Sequence, residues 1–237
     1  MNDTTYGRGQ MEWALWRSFT IGSFGAKEEV PKVFRTRIRR LLEIDRELDL
    51  TDAEVPPEAL YAFAPPPSEQ SGEIAYRPVD AFCLVTALGL LDTGFKQAEV
   101  VFLMRYLRSE LERRFADLLK LPSLINRQRS LAKAYPRLPT YTEKGKAYAD
   151  KRLFVVLQRI ETTEVMGGGD NERQQFSVII KPVYCEGIEA LKDALHGLMP
   201  NHRRAVAILE LAASAQAVSA FLVEAPSIQR GRPKKSK

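Results

Sequence analysis

Two stretches of this chain read as connections, and they partition everything else. Residues 49–75 carry Pro56-Pro57 and Pro65-Pro66-Pro67, followed by Ser68, Ser71 and Gly72. Proline lacks the amide that a helix or a sheet ladder uses and restricts the residue before it, so this stretch demands turns or extended chain. Residues 122–150 are polar, are broken by Pro122, Pro136, Pro139 and Gly145, and read as a linker. Before the linker the apolar residues recur with a helical period. After it β-branched runs appear. The expected fold class is therefore α+β and mainly helical.

The segment Pro31 to Leu48 reads as a helix, because Phe34, Ile38, Leu41 and Leu42 fall at i, i+4, i+7 and i+8 and Pro31 suits the first helical position. Tyr76-Arg77-Pro78-Val79-Asp80 opens a second helix. Ala81, Leu84, Val85, Leu88 and Leu91 form its apolar stripe, and Gly94 ends it. A long helix follows from about Gln97 to Leu121. Val100, Met104, Leu107, Leu111, Leu118 and Leu121 fall on alternating four–three spacing, with Arg114 in the remaining slot. Such a seam packs either on the chain's own core or against a second copy. Beyond the linker, Leu153–Ile160 and Phe176–Val183 read as two strands of a β-hairpin, with Gly167 to Asn171 in the loop between them. Helices are expected at about 187–199 and 202–224. Residues 1–18 read as a flexible or partly helical arm whose Trp13 and Trp16, at i, i+3, dock on the body.

The charge is unevenly placed. There are 35 Lys+Arg and 30 Asp+Glu, and five of the basic residues lie in the last eight positions, so residues 1–229 balance at 30 of each. The tail supplies the whole net charge of +5. A second basic strip runs from Lys32 to Arg40 and contains Arg35, Arg37 and Arg39 but no acid. It is either a contact for a polyanion or a solvated face with intrahelical pairs to Glu43 and Asp45.

Several function classes find no support. The chain has only two histidines, His196 and His202, and its two cysteines, Cys83 and Cys185, have no metal-ligand spacing. Gly167-Gly168-Gly169 lacks the Lys and Ser/Thr of a phosphate loop, and no nucleophile elbow, zinc-protease or dinucleotide fingerprint occurs. The expectation is a protein that is not an enzyme, with no cofactor and no metal. The most apolar stretch, Ala205 to Val223, is interrupted by Glu210, Ser214, Gln216 and Ser219, so no membrane span is expected. The two cysteines give no disulfide framework, which points to a reducing cytoplasm, and the first ten residues lack an apolar signal core.

Thr20-Ile21-Gly22, Val30, Tyr76-Arg77-Pro78-Val79-Asp80 and Thr93-Gly94-Phe95-Lys96 together carry a resemblance. Over roughly 75 residues, Thr20 to Phe95, the chain is similar to the winged helix-turn-helix of the MerR family of bacterial regulators. In that family a TIGELA-like helix and a Gly-Val-Ser turn precede a recognition helix. A Tyr and Ser-Pro-Glu-Asp follow the wing, and Leu-Gly-Phe-Ser precedes the dimer region. Here Glu29 stands in place of the turn glycine and Pro31 in place of the capping serine. The resemblance implies a helix in the major groove of DNA, with Lys32, Arg35, Arg37, Arg39 and Arg40 on it and Arg77 reaching a phosphate.

The tail adds a second motif. Arg230-Gly231-Arg232-Pro233-Lys234-Lys235 resembles an AT-hook, in which glycine lets the backbone sit deep in a narrow A·T minor groove and proline keeps the segment extended. A generic basic tail is the alternative.

The expected organisation is an arm (1–18), a MerR-like winged helix-turn-helix (19–95), a long helix offering a dimer contact (96–121), a linker (122–150), an α+β sensor or oligomerisation domain (151–226) and a basic tail (227–237). The expected function is a cytoplasmic, nucleoid-associated transcriptional regulator that binds double-stranded DNA as a homodimer, with any small-molecule effector unknown. A nucleoid-associated architectural protein and a protein-interaction adaptor are the alternatives.

Overall fold

The structure, a computed structural model, describes residues 4–21, 29–48, 61–65, 74–121, 152–165, 173–198 and 204–226. Its elements in order are α1 (Arg8–Phe19), α2 (Lys32–Glu47), α3 (Pro78–Asp92), α4 (Gln97–Lys120), β1 (Leu153–Val165), β2 (Arg173–Glu186), α5 (Gly187–His196), β3 (Arg204–Glu210) and α6 (Leu211–Glu224). The class is α+β, mainly helical, with one small antiparallel sheet. The chain divides into two compact units, residues 1–136 with 214–237, and residues 137–213. This division differs from the sequence-based one, since most of α6 belongs with the N-terminal unit.

The first unit is built of helices around α3. Residues 79–88 of that helix and Leu90 are all buried, so it is enclosed on every side and not merely along one stripe. Three helices start with the same local device. The N3 side chain accepts from the backbone amide just before the helix: Gln10 from Gly7 (3.1 Å), Asp80 from Arg77 (2.8 Å) and Glu99 from Lys96 (2.9 Å). Pro78 takes the first turn of α3. Gly94, at φ +90°, reverses the chain into α4 with the buried Phe95 beneath, a conformation that an L side chain rarely adopts.

Residues 8–18, read as part of an arm, belong to the core helix α1. Met11, Ala14 and Leu15 of α1 are fully buried. Trp16 and Phe19 pack edge-on against Phe34 of α2, and Trp13 meets Phe221 of α6 at 6.1 Å between ring centroids. Tyr6 and Tyr76 exchange two backbone hydrogen bonds of 2.9 Å, which pins the N-terminal segment to the entry of α3. The seam of α4 faces inward: Val100, Met104, Leu107, Leu111 and Leu118 are all buried. Packing on the chain's own core is therefore what that seam does.

In the second unit β1 is central, and the strand order is β2-β1-β3 with both pairings antiparallel. The expected hairpin is present and longer than the β-branched runs, pairing from Leu153 opposite Glu186 to Val165 opposite Arg173. Its closing loop, Gly167 to Asn171, lies outside the described residues. Helix α5 covers one face, where Phe154, Val156 and Cys185 pack against Ile188, Leu191 and Ala194. The expected single helix at 202–224 is in fact β3 followed by α6. Successive positions of Arg204–Glu210 pair with β1 from Ile160 to Phe154. The helix preference of Ala205 and Ala207 is outweighed by cross-strand pairing, since strand preference depends on the neighbours available.

Candidate nucleic-acid interface

Helix α2 presents the basic strip. Its buried residues Phe34, Ile38, Leu41, Leu42 and Asp45 fix one side in the core. A different face, flanking the buried one, is set by helical geometry: Lys32, Arg35 and Arg39 stand at i, i+3 and i+7 and share it, and Arg46 continues the line at i+14. All four are exposed. Pro31 lies one residue earlier than expected, at the position before the first helical turn, where its carbonyl accepts from the amide of Arg35 (3.1 Å).

The five candidate residues are not equivalent. Lys32 and Arg40 are exposed and have no ion-pair partner among the described residues. Arg35 lies 3.7 Å from the carboxylate of Glu12, which is itself held by Arg8 at 2.8 Å. Arg39 lies 3.5 Å from Glu43, one turn on. The exposed Arg39–Glu43 pair contributes about 0–1 kcal/mol, so a phosphate can replace that carboxylate at little cost, while the buried Glu12 keeps the closer Arg8 as its partner if Arg35 turns away. Arg37 stands away from the line and reaches Asp92 at the end of α3 at 2.5 Å. Acid at a helix C-terminus is unfavourable for the helix dipole, and Arg37 offsets it. Arg37 is thereby tied to the body, whereas Lys32, Arg35 and Arg39 face outward.

Arg77 is also committed. Its guanidinium meets Asp80 at 3.3 Å and Glu112 at 2.9 Å, and these acids raise its pKa against the opposing effect of burial. Thr20, which by resemblance opens the first helix of the helix-turn-helix, caps the C-terminus of α1 instead. Among the described residues of the connection between α2 and α3, the only backbone pairing is that of Tyr76 with Tyr6. The tail residues Arg230, Gly231, Arg232, Pro233, Lys234 and Lys235 lie outside the described residues, as do Gly22 and His202.

Behind α2 lies a charged network that the sequence reading missed. Asp45, placed with Glu43 as a surface partner for the basic strip, is buried. Its carboxylate accepts from the amides of Ala62 (2.9 Å) and Phe63 (3.2 Å) and from Arg105 (2.9 Å). Arg105 also donates to the backbone carbonyls of Asp45 and Leu48. Arg108 donates to the carbonyls of Ala62 and Phe63 and to the buried carboxylate of Asp80. The short segment Tyr61 to Pro65 is thus held through both its amides and its carbonyls, with Phe63 fully buried beneath it. The available signal was phase. Asp45 falls on the apolar stripe of α2, and Arg105 and Arg108 fall among the core positions of α4.

Both cysteines are buried. Burial pushes the Cys83 thiol up to about 12, although Arg108 and Arg77 act in the opposite direction. Thiolate is the reactive form, so native protein at neutral pH is expected to leave Cys83 unmodified by a maleimide and to react only on unfolding. Mass spectrometry with and without denaturant checks this. Rapid native labelling of Cys83 would contradict the burial. His196 is exposed at the end of α5. No group of His, Cys, Asp or Glu among the described residues is placed to hold a metal ion. No helix among them is long and apolar enough to cross a membrane.

Fold and surface define an α+β protein, mainly helical, that displays one line of basic side chains on a helix anchored in the core. The chain matches no protein-family model, no curated protein and no solved structure.

Proposed function

We propose that this is a DNA-binding protein that regulates transcription, working in the cytoplasm on the nucleoid as a homodimer and not as an enzyme. The observation that carries the reading is the exposed line Lys32, Arg35, Arg39 and Arg46 on a helix whose neighbouring face is locked in the core. Arginine can pair bidentately with guanine edges in the major groove, and lysine neutralises phosphate. Local features fit the later part of the MerR-like stretch, after its wing: Pro78 in the first turn of α3, Gly94 at positive φ, and α4 opening at Gln97. In this reading the AT-hook-like tail grips an adjacent A/T-rich minor groove. Tethering makes the two contacts mutually reinforcing.

Gel shifts on genomic fragments at moderate salt test the proposal. Absence of binding rejects it, and binding with no recurring site favours the architectural alternative. Deleting Arg230–Lys237 removes five positive charges. The deletion is expected to weaken binding mainly on A/T-flanked sites and to reduce the salt slope by about 0.9 for each phosphate that is no longer neutralised. An equal weakening on G·C flanks would reduce the tail to general attraction for phosphate.

The adaptor reading also has an observation behind it. Phe102 and Tyr106, one turn apart on α4, are 59% and 60% exposed. Apolar surface of this kind serves protein contacts better than DNA contacts.

A further inference from the structure

The two outer edges of the sheet are unlike. On the outer strand β2, Lys181 and Pro182 sit side by side in mid-strand. Proline has no amide to offer and lysine resists burial, so this edge is protected against pairing with another strand. The other outer strand, β3, has no such device. Between its terminal charges it reads Ala205-Val206-Ala207-Ile208-Leu209, uninterrupted by charge or proline, and Ile208 is 40% exposed. No described residue pairs with its outer edge.

The order of residues in β3 is self-complementary. In an antiparallel pairing of β3 with itself about Ala207, Arg204 stands opposite Glu210 of the second copy, Ala205 opposite Leu209, and Val206 opposite Ile208. Each pair joins residues of the same strand parity, so the face covered by α5 continues across the join. A basic position meets an acidic one at both ends, and the exposed Ile208 gains an apolar neighbour twice per dimer. Small Ala207 occupies the dyad. Glu210 is held at the strand end by accepting from the amide of Ala213 (3.1 Å).

We propose that β3 pairs with β3 of a second copy, joining two three-stranded sheets into one of six strands. The proposal rests on the reading that the protein works as a homodimer, and it supplies the surface that the inward-facing seam of α4 does not. The contact is isologous, as a two-fold dimer requires.

The test uses the full chain without DNA, so its failure leaves the DNA-binding reading to stand or fall on gel shifts. Sedimentation equilibrium across micromolar concentrations is expected to show a reversible dimer. Ile208→Lys is expected to raise the dissociation midpoint about tenfold or more, because the altered pair occurs twice and lysine protects an edge. Hydrogen exchange of wild type is expected to show β3 amides protected at high concentration and released on dilution. That readout needs no variant, so it serves even if Ile208→Lys does not fold. A wild-type chain monomeric at high micromolar concentration overturns the proposal. So does β3 exchange that ignores concentration, or a dimer that folded Ile208→Lys leaves intact. A dimer abolished in the Phe102→Ser/Tyr106→Ser chain but intact in Ile208→Lys places the contact on α4 and overturns it equally.

Discussion

Replacing Arg108 by alanine is expected to destabilise the helical unit by about 3–5 kcal/mol, the usual cost of removing one member of a buried ion pair. The side chain of Arg108 is 5% exposed and that of Asp80 is 1% exposed. Truncation leaves the Asp80 carboxylate with Arg77, whose side chain is half in solvent. It also leaves the carbonyls of Ala62 and Phe63 without the donor that holds them. A buried acceptor deprived of its donor costs about 1–3 kcal/mol, and the two effects combine at one site. Urea unfolding followed by circular dichroism should show a lower midpoint with an unchanged slope. Arg113, on the same helix but exposed and paired with Glu110 one turn back, is the control. Its alanine variant is expected to change stability by about 0.5 kcal/mol or less. Equal effects of the two variants would mean that the Arg108 network contributes no more than a surface pair.

That network marks the limit of what the sequence could reveal. Where a signal is local, the reading and the structure agree closely. Pro78 and Asp80 start α3, Gly94 ends it, and α4 runs from Gln97 to Lys120, because caps and positive-φ glycines act within a few residues. The hairpin of β1 and β2 was legible for the same reason. What escaped depends on partners far along the chain. Strand β3 is a strand because β1, well before it in the chain, offers it a ladder. Its alanines alone favour a helix. Helix α1 is a core element because Phe34 and Phe221 supply rings for Phe19, Trp16 and Trp13 to pack on. Asp45, Arg105 and Arg108 look like interruptions of apolar stripes until each is seen beside its counter-charge.

The basic strip was legible as composition but not as geometry. A run of five positive residues on a helix cannot all face one way. The structure turns Arg37 toward Asp92 and leaves Lys32, Arg35 and Arg39 in a line. The acids that meet Arg35 and Arg39 come from different places, Glu12 on α1 and Glu43 on α2 itself. Only the second was within reach of a sequence argument.

The double variant Arg35→Ala/Arg39→Ala is therefore expected to abolish site preference while leaving the fold intact. A bidentate arginine–base contact is worth about 1–3 kcal/mol of discrimination, so removing two forfeits about 2–6 kcal/mol, enough to erase an ordinary operator preference. Stability should barely move, because both side chains are at least half exposed and their ion pairs are long, at 3.7 and 3.5 Å. Arg37→Ala separates charge from geometry. It removes one positive charge from the same helix, but on the side tied to Asp92. It is expected to lower affinity slightly on all sequences through weaker phosphate attraction, with the ranking of sites unchanged. Competition gel shifts with specific and scrambled fragments at two salt concentrations, alongside thermal melts, distinguish the two effects. If the double variant still ranks its sites as wild type does, α2 is not the reading helix. If Arg37→Ala instead erases the ranking, the face that reads DNA lies toward α3 and not along the line from Lys32 to Arg39.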